Sequence, residues 1–221
     1  MTTLDLSRKN LTEIPSYLKD RNDITKLYLS HNQIRKIENL PPNLEILILS
    51  ENQISKIENL PSNLQYLSLH INEISKIENL PPNLQELDLT WNKIHKIENL
   101  PPNLQILDLS FNKIRKIENL PHNLQKLSLY SNEIRKIENL PSTLQKLDLS
   151  ENHITKIENI PRNIQELYLI DNQISELPLE LLECRQLGSI YFDNHIEIHP
   201  IIQSWLESNR VSPFANWSVD V

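Results

Sequence analysis

Aliphatic residues recur along this chain on a fixed template. In residues 84–103, LQELDLTWNKIHKIENLPPN, they fall at positions 1, 4, 6, 11, 14 and 17: Leu84, Leu87, Leu89, Ile94, Ile97 and Leu100. The template returns every twenty residues from residue 24 to residue 163. Self-similarity at this period predicts a solenoid in which each unit is one turn of a coil. Within the unit, Leu87-Asp88-Leu89 alternates with period two and predicts a short strand. Copies of that strand are expected to pair in parallel about 4.8 Å apart. A buried aliphatic contributes roughly 1.5–3 kcal/mol. Six of them fall short of ordering a twenty-residue unit at about 1–2 kcal/mol per residue. One unit cannot fold alone, so stability must come from stacking neighbours between specialised ends.

The polar positions are as regular as the apolar ones. Asparagine stands at Asn32, Asn52, Asn72, Asn92, Asn112, Asn132, Asn152 and Asn172, where the chain turns away from each strand. A buried amide must find partners, so these side chains are expected to form a structural ladder bonded to backbone groups of their own and adjacent turns. After Ile97 comes Glu-Asn-Leu-Pro-Pro-Asn. Two prolines fix φ near −65° and remove donors, which predicts a polyproline-like segment or a single tight turn on the back of the coil rather than a helix.

Residues 1–23 form an irregular first unit, with Leu4, Leu6, Leu11 and Ile14 on template and Lys9 where the ladder asparagine belongs. This segment is expected to cap the N-terminal end, with a helical turn over residues 16–19. Seven regular units span residues 24–163, and two irregular ones span 164–199. In the latter, residues 179–184 have helical apolar spacing, and Ile190 and Phe192 keep the strand. Residues 200–221 form the expected C-terminal cap. Pro200 opens a predicted helix whose apolar face carries Ile201, Ile202, Trp205 and Leu206.

The string L-x-x-L-x-L-x-x-N-x-I, repeated from about residue 4 to residue 196, resembles the leucine-rich repeat. Residues 112–120 resemble the class typified by the phosphatase-one regulatory subunit, and the Leu-Pro-Pro-Asn-Leu string of residues 100–107 resembles bacterial type III-secreted effectors. Near-identical units rich in Ile, Lys and Asn are also similar to repeat proteins of amoeba-infecting giant viruses and protists. The resemblance implies an α/β solenoid: a leucine-rich repeat arc with a parallel concave β-sheet, a mostly irregular, polyproline-like or 3-10 convex side, and a C-terminal capping helix. It implies a non-enzymatic protein-binding module. The alternative it implies is an effector or adaptor acting on host ubiquitin or phosphatase machinery, although no docking motif stands at either end.

Composition narrows the partner. A net charge of −7 and a pI near 5.5 argue against nucleic acid or an anionic membrane as the ligand. A single glycine, Gly188, excludes a glycine-rich phosphate loop. The seven histidines form no column, so no metal or other cofactor is expected. Cys184 is the sole cysteine, and the first residues lack the apolar run of a signal peptide. Extracellular members of the resembled family usually carry cysteine-paired caps, so an intracellular, cytoplasmic protein is expected. The sequons at Asn10 and Asn216 point weakly the other way.

Comparing the units with one another shows which positions are free. Positions 13 to 18 barely change, while positions 3, 5, 7, 8 and 10 vary. Positions 3 and 5 flank the inward strand leucine and should face the concave side, with position 8 at its edge. These sites hold Ile46, Ile48, Tyr66, Ile71, Trp91, Ile106, Phe111 and, at position 7, Tyr130, where drift would leave small or charged residues. They form the candidate partner-binding surface, with Ile71, Trp91 and Phe111 as the apolar anchor. Glu86, Asp88 and Asp108 form an adjoining acidic strip suited to a basic protein or peptide. Asp88 and Asp108 on neighbouring strands are formally an acid/base pair, but a solvated acidic strip is the reading preferred here.

Overall fold

A computed structural model describes residues 2–209 and 211–215. Eleven parallel strands form one sheet in strict chain order. β1 is Thr2–Asp5 and β2 is Ile24–Tyr28. The three-residue strands β3 to β9 follow at Ile46–Ile48, Tyr66–Ser68, Glu86–Asp88, Ile106–Asp108, Lys126–Ser128, Lys146–Asp148 and Glu166–Tyr168. β10 is Ser189–Phe192 and β11 is Ser212–Ala215. From β2 to β9 each residue pairs with the one twenty places on, as in Glu86 with Ile106, Leu87 with Leu107 and Asp88 with Asp108. That register follows from the sequence, because equal units place equal positions side by side.

The core is a stack of near-identical layers. Leu84, Leu87, Leu89, Ile94 and Ile97 are fully enclosed, as are their equivalents in the flanking units. The sixth expected core residue behaves differently: Leu100 and its equivalents are only half-buried against the core. Pro101 takes the enclosed place instead, because the chain reverses there and turns the proline ring inward. The reversal is one tight turn, closed in the preceding unit by Leu84 N–H donating to the Pro81 carbonyl at 3.3 Å. Among the described residues no back segment of a regular unit is helical.

Three asparagine ladders tie the layers together. At the anticipated position, Asn112 Nδ2 donates to the Leu109 carbonyl of its own unit and the Leu89 carbonyl of the unit before, each at 3.0 Å. Its Oδ1 accepts the Ile94 N–H at 2.9 Å. The other two were not anticipated. Asn99 of the Lys-Ile-Glu-Asn string has φ of 54°, and its Nδ2 donates to the Ile77 carbonyl at 3.0 Å. Asn103 donates to the Pro82 carbonyl at 3.2 Å.

The ends depart from the pattern as the polar backbone requires. A 3-10 helix at Ser16–Asp20 buries Leu18 over the first layer, and a second at Leu179–Glu183 buries Leu181. At the far end Asp193 accepts the Asp171 N–H through both carboxylate oxygens, at 3.2 and 3.0 Å. In regular units a carbonyl of the next unit fills that role, as Ser110 does for Trp91. The helix α1, Pro200–Ser208, closes the core with Ile202 and Leu206, and His199 Nδ1 caps it by accepting the Ile201 N–H at 3.2 Å. Ile201 stays exposed and Trp205 half-buried, so the inward face is narrower than the four-residue face expected from spacing. β11 was not foreseen. The remainder of the C-terminal segment, including Asn216, lies outside the described residues.

Candidate interaction surface

The short strands set every side chain of the concave face by alternation. Positions 3 and 5 of each unit flank the buried leucine and point away from the core, so Ile46, Ile48, Tyr66, Glu86, Asp88, Ile106 and Asp108 are all half-exposed there. They form two rows, each with one residue per strand.

The second group lies where the chain leaves the strand. Position 8 is held at positive φ in all eight units: 52° at Ile71, 56° at Trp91 and 54° at Phe111, with His31, Glu51, Ser131, Glu151 and Asp171 alike. This left-handed conformation lets the following asparagine turn back into the coil. It disfavours residues with bulky side chains and above all β-branched ones. Ile71 therefore carries a conformational cost although its side chain stays 42% exposed.

Backbone geometry at this position aligns neighbouring side chains one strand spacing apart. Trp91 and Phe111 stack with ring centroids 4.1 Å apart and planes 15° from parallel. Phe111 meets Tyr130 edge-on at 5.0 Å. The result is an aromatic ladder along the rim at the C-terminal ends of the strands. Its leading ring, Trp91, is 52% exposed. The Tyr130 hydroxyl donates to Glu151, and that bond pushes its pKa up to about 12.

The carboxylates beside the ladder are held as acceptors. Asp88 takes the Ser68 hydroxyl at 2.9 Å and the Thr90 N–H at 3.0 Å. Asp108 takes the Ser110 N–H at 2.9 Å and the Ser110 hydroxyl at 2.5 Å. Side-chain hydroxyls continue these rows, Ser50 to Ser68 at 3.0 Å and Ser110 to Ser128 at 2.7 Å. Each carboxylate is thus oriented by hydroxyl and backbone donors, an arrangement that suits fixed negative charge. Further along the row, burial raises the Asp148 pKa against the opposing Ser150 bonds, and the Asp108 charge adds to the rise.

Toward the C-terminal end the face changes character. Tyr168 and Tyr191 stack at 4.2 Å with planes 5° apart. Lys146 Nζ sits 5.0 Å from the Tyr168 ring and 2.7 Å from Glu166. The hydrogen bond to Glu166 raises the Lys146 pKa and lowers that of Glu166. Sequence reasoning missed this cluster. The signal was there in tyrosines at position 5 of adjacent units, but the irregular spacing of the last units hid their register. Among the described residues no group of three or more His, Cys, Asp or Glu side chains could hold a metal ion, and no helix is long and apolar enough to cross a membrane. Burial pushes the Cys184 thiol up to about 11.

Comparison with known proteins agrees with this architecture. The family model "Leucine Rich repeats (2 copies)" matches residues 82–122, and "Leucine Rich repeat" matches residues 141–156. The chain is a leucine-rich repeat protein. Among solved structures, YopM from Yersinia enterocolitica is 30% identical with a TM-score of 0.74 over 86% of this chain. This repeat protein spans 41% of the YopM chain. A Shigella effector leucine-rich repeat domain is 26% identical with a TM-score of 0.59, covering 76% of this chain and 78% of that one. A leucine-rich repeat protein of Leptospira interrogans, 24% identical over 97% of this chain and 60% of its own, shares the fold with a TM-score of 0.73. The search of curated protein sequences found no match. The repeat pattern and these relatives agree on the leucine-rich repeat architecture, and an effector domain stands among the relatives.

Proposed function

We propose that this leucine-rich repeat protein is a non-enzymatic, intracellular binding module that grips a basic protein or peptide segment on its concave face. The observation that carries this reading is the aromatic ladder of Trp91, Phe111 and Tyr130. It is exposed, ordered by stacking and begins beside Ile71, a β-branched residue kept in a left-handed conformation. Strain retained at an exposed side chain is characteristic of functional surfaces. Flat aromatic faces next to Glu86, Asp88 and Asp108 suit an arginine side chain, which can stack on a ring while its fork reaches a carboxylate.

A second reading is favoured by the similarity to the Shigella effector domain: the chain would be an effector or adaptor that acts on host ubiquitin or phosphatase machinery, holding its target on this face and docking through its ends. Both readings put a bound protein on the concave face, so one experiment tests that shared part. Trp91→Ala with Phe111→Ala should leave circular dichroism and thermal melting nearly unchanged. Truncating two anchor rings should weaken capture of lysate partners by about thirtyfold or more. Lys96→Ala with Lys116→Ala, on the back, should change capture little. If the back-face pair abolishes capture and the aromatic pair does not, the concave assignment is wrong.

A further inference from the structure

The opposite rim, at the N-terminal ends of the strands, carries a different kind of surface. A groove of about 1040 Å³ runs across it from Thr25 to Gln186, crossing every regular unit. Its walls are two rows of carboxamides, here represented by Asn83, Asn103 and Asn123 on one side and Gln85, Gln105 and Gln125 on the other. Of the lining residues only Glu45, near one end, carries a charge, and none is aromatic.

The two rows are prepared differently. Asn83, Asn103 and Asn123 each donate Nδ2 to a carbonyl of the preceding unit at 3.2 Å, which settles the amide orientation and leaves Oδ1 as an acceptor. The glutamine backbones are equally fixed: the Gln85 carbonyl accepts the Gln105 N–H at 2.8 Å and the Ile106 N–H at 3.1 Å. Their side-chain amides are exposed and bond no described residue. Each unit therefore offers one rigid acceptor and one adaptable donor-acceptor pair.

We propose that this groove binds an extended, neutral β-1,4-linked glycan, one sugar per coil. The absence of cations along it disfavours nucleic acid and other polyanions, which require Lys or Arg. Extended peptide fits poorly. It rises about 3.3 Å per residue and repeats a side chain every two residues, whereas the amides repeat at the strand spacing of about 4.8 Å. An extended β-1,4-linked chain advances by nearly that spacing per sugar and turns alternate sugars over, so like hydroxyls return every second coil and stay in step with the amides, as a peptide's side chains do not. A carboxamide also presents its donor and acceptor side by side, matching a pair of neighbouring hydroxyls. Individual contacts of this kind are weak, and affinity arises from their number along the chain.

The test uses the full chain with cellohexaose and chitohexaose, followed by calorimetry, with cellobiose and maltohexaose as comparisons. At least one of the two hexaoses should bind. It should bind more tightly than cellobiose, because more coils are engaged, and more tightly than the helically wound maltohexaose. Gln85→Ala, Gln105→Ala and Gln125→Ala combined should weaken binding by about tenfold or more while melting is unchanged, since these side chains support nothing. Trp91→Ala with Phe111→Ala should bind the hexaose normally. Absence of binding by both hexaoses, equal binding by the triple variant, or loss in the aromatic variant instead would each overturn the proposal. The first two leave the protein-binding role of the opposite rim untouched.

Discussion

At the scale of single residues, asparagine builds three separate ladders in this chain, and only one was legible in advance. A buried amide following a strand had to find backbone partners, so the ladder through Asn112 could be read from burial logic alone. The Asn99 and Asn103 ladders could not, because they depend on a left-handed backbone and on the reach to the previous coil, and neither is visible in hydrophobic spacing. Asn112→Ala should cost about 1–3 kcal/mol by stranding buried backbone groups, whereas exposed Lys113→Ala should cost under about 0.5 kcal/mol. Coincident urea midpoints for the two variants would show that the ladder is not a source of stability. Position 8 sets up the opposite experiment. Ile71 sits at φ of 52° with an exposed side chain, so Ile71→Gly should raise stability by about 1 kcal/mol through relief of the left-handed strain. The same change should weaken partner capture. A variant that is both more stable and fully active would identify Ile71 as drift rather than part of the site.

At the scale of elements, each unit has the same small set of parts, and the differences lie at the ends. Strands, turns and the proline reversal all follow from local rules, which is why they were legible to within a residue. The depth of burial was less so. Leu100 looks like core by hydrophobicity, yet the tight reversal gives the enclosed place to Pro101. β11 escaped notice because a strand at the edge of a solenoid is fixed by pairing with β10, and its sequence shows no repeat to flag it. The cap helix α1 is the element on which the open end depends. Leu206→Ala should cost about 2–5 kcal/mol, as for other enclosed leucines. Ile201→Ser, on the outward face of the same helix, should cost little. Hydrogen exchange would locate the damage. Leu206→Ala should speed exchange in the last coils while leaving the first ones protected, as expected where each unit contacts only its neighbours.

At the scale of the whole molecule, the chain is a linear array, and its surfaces are properties of the stack rather than of any unit. Neither the aromatic ladder nor the amide groove exists within twenty residues. Each appears when equal positions are brought one strand spacing apart, so the candidate site could be named from variable positions but its stacking geometry could not. This gives a sharp prediction about excision. Removing residues 104–123 joins Asn103 to Leu124, the same junction that Asn123 makes in the intact chain. Every remaining coil still closes and every ladder asparagine still finds the unit before it. The shortened protein should therefore fold cooperatively, with the same strand signal per residue and a lower melting temperature from the loss of one nearest-neighbour interface. Removing only residues 104–113 should instead break the coil, since half a unit leaves strand and back segment out of phase and buried amides without partners. The two shortened chains also separate folding from binding. The twenty-residue excision takes away Phe111 and sets Trp91 beside Tyr130 and Ser131, so the stacked ring pair is lost and only an edge contact can remain; capture should fall although the fold is kept. If the ten-residue excision folds as well as the twenty-residue one, the coil is not the unit of stability; if the twenty-residue excision binds undiminished, the stacked ladder is not the anchor.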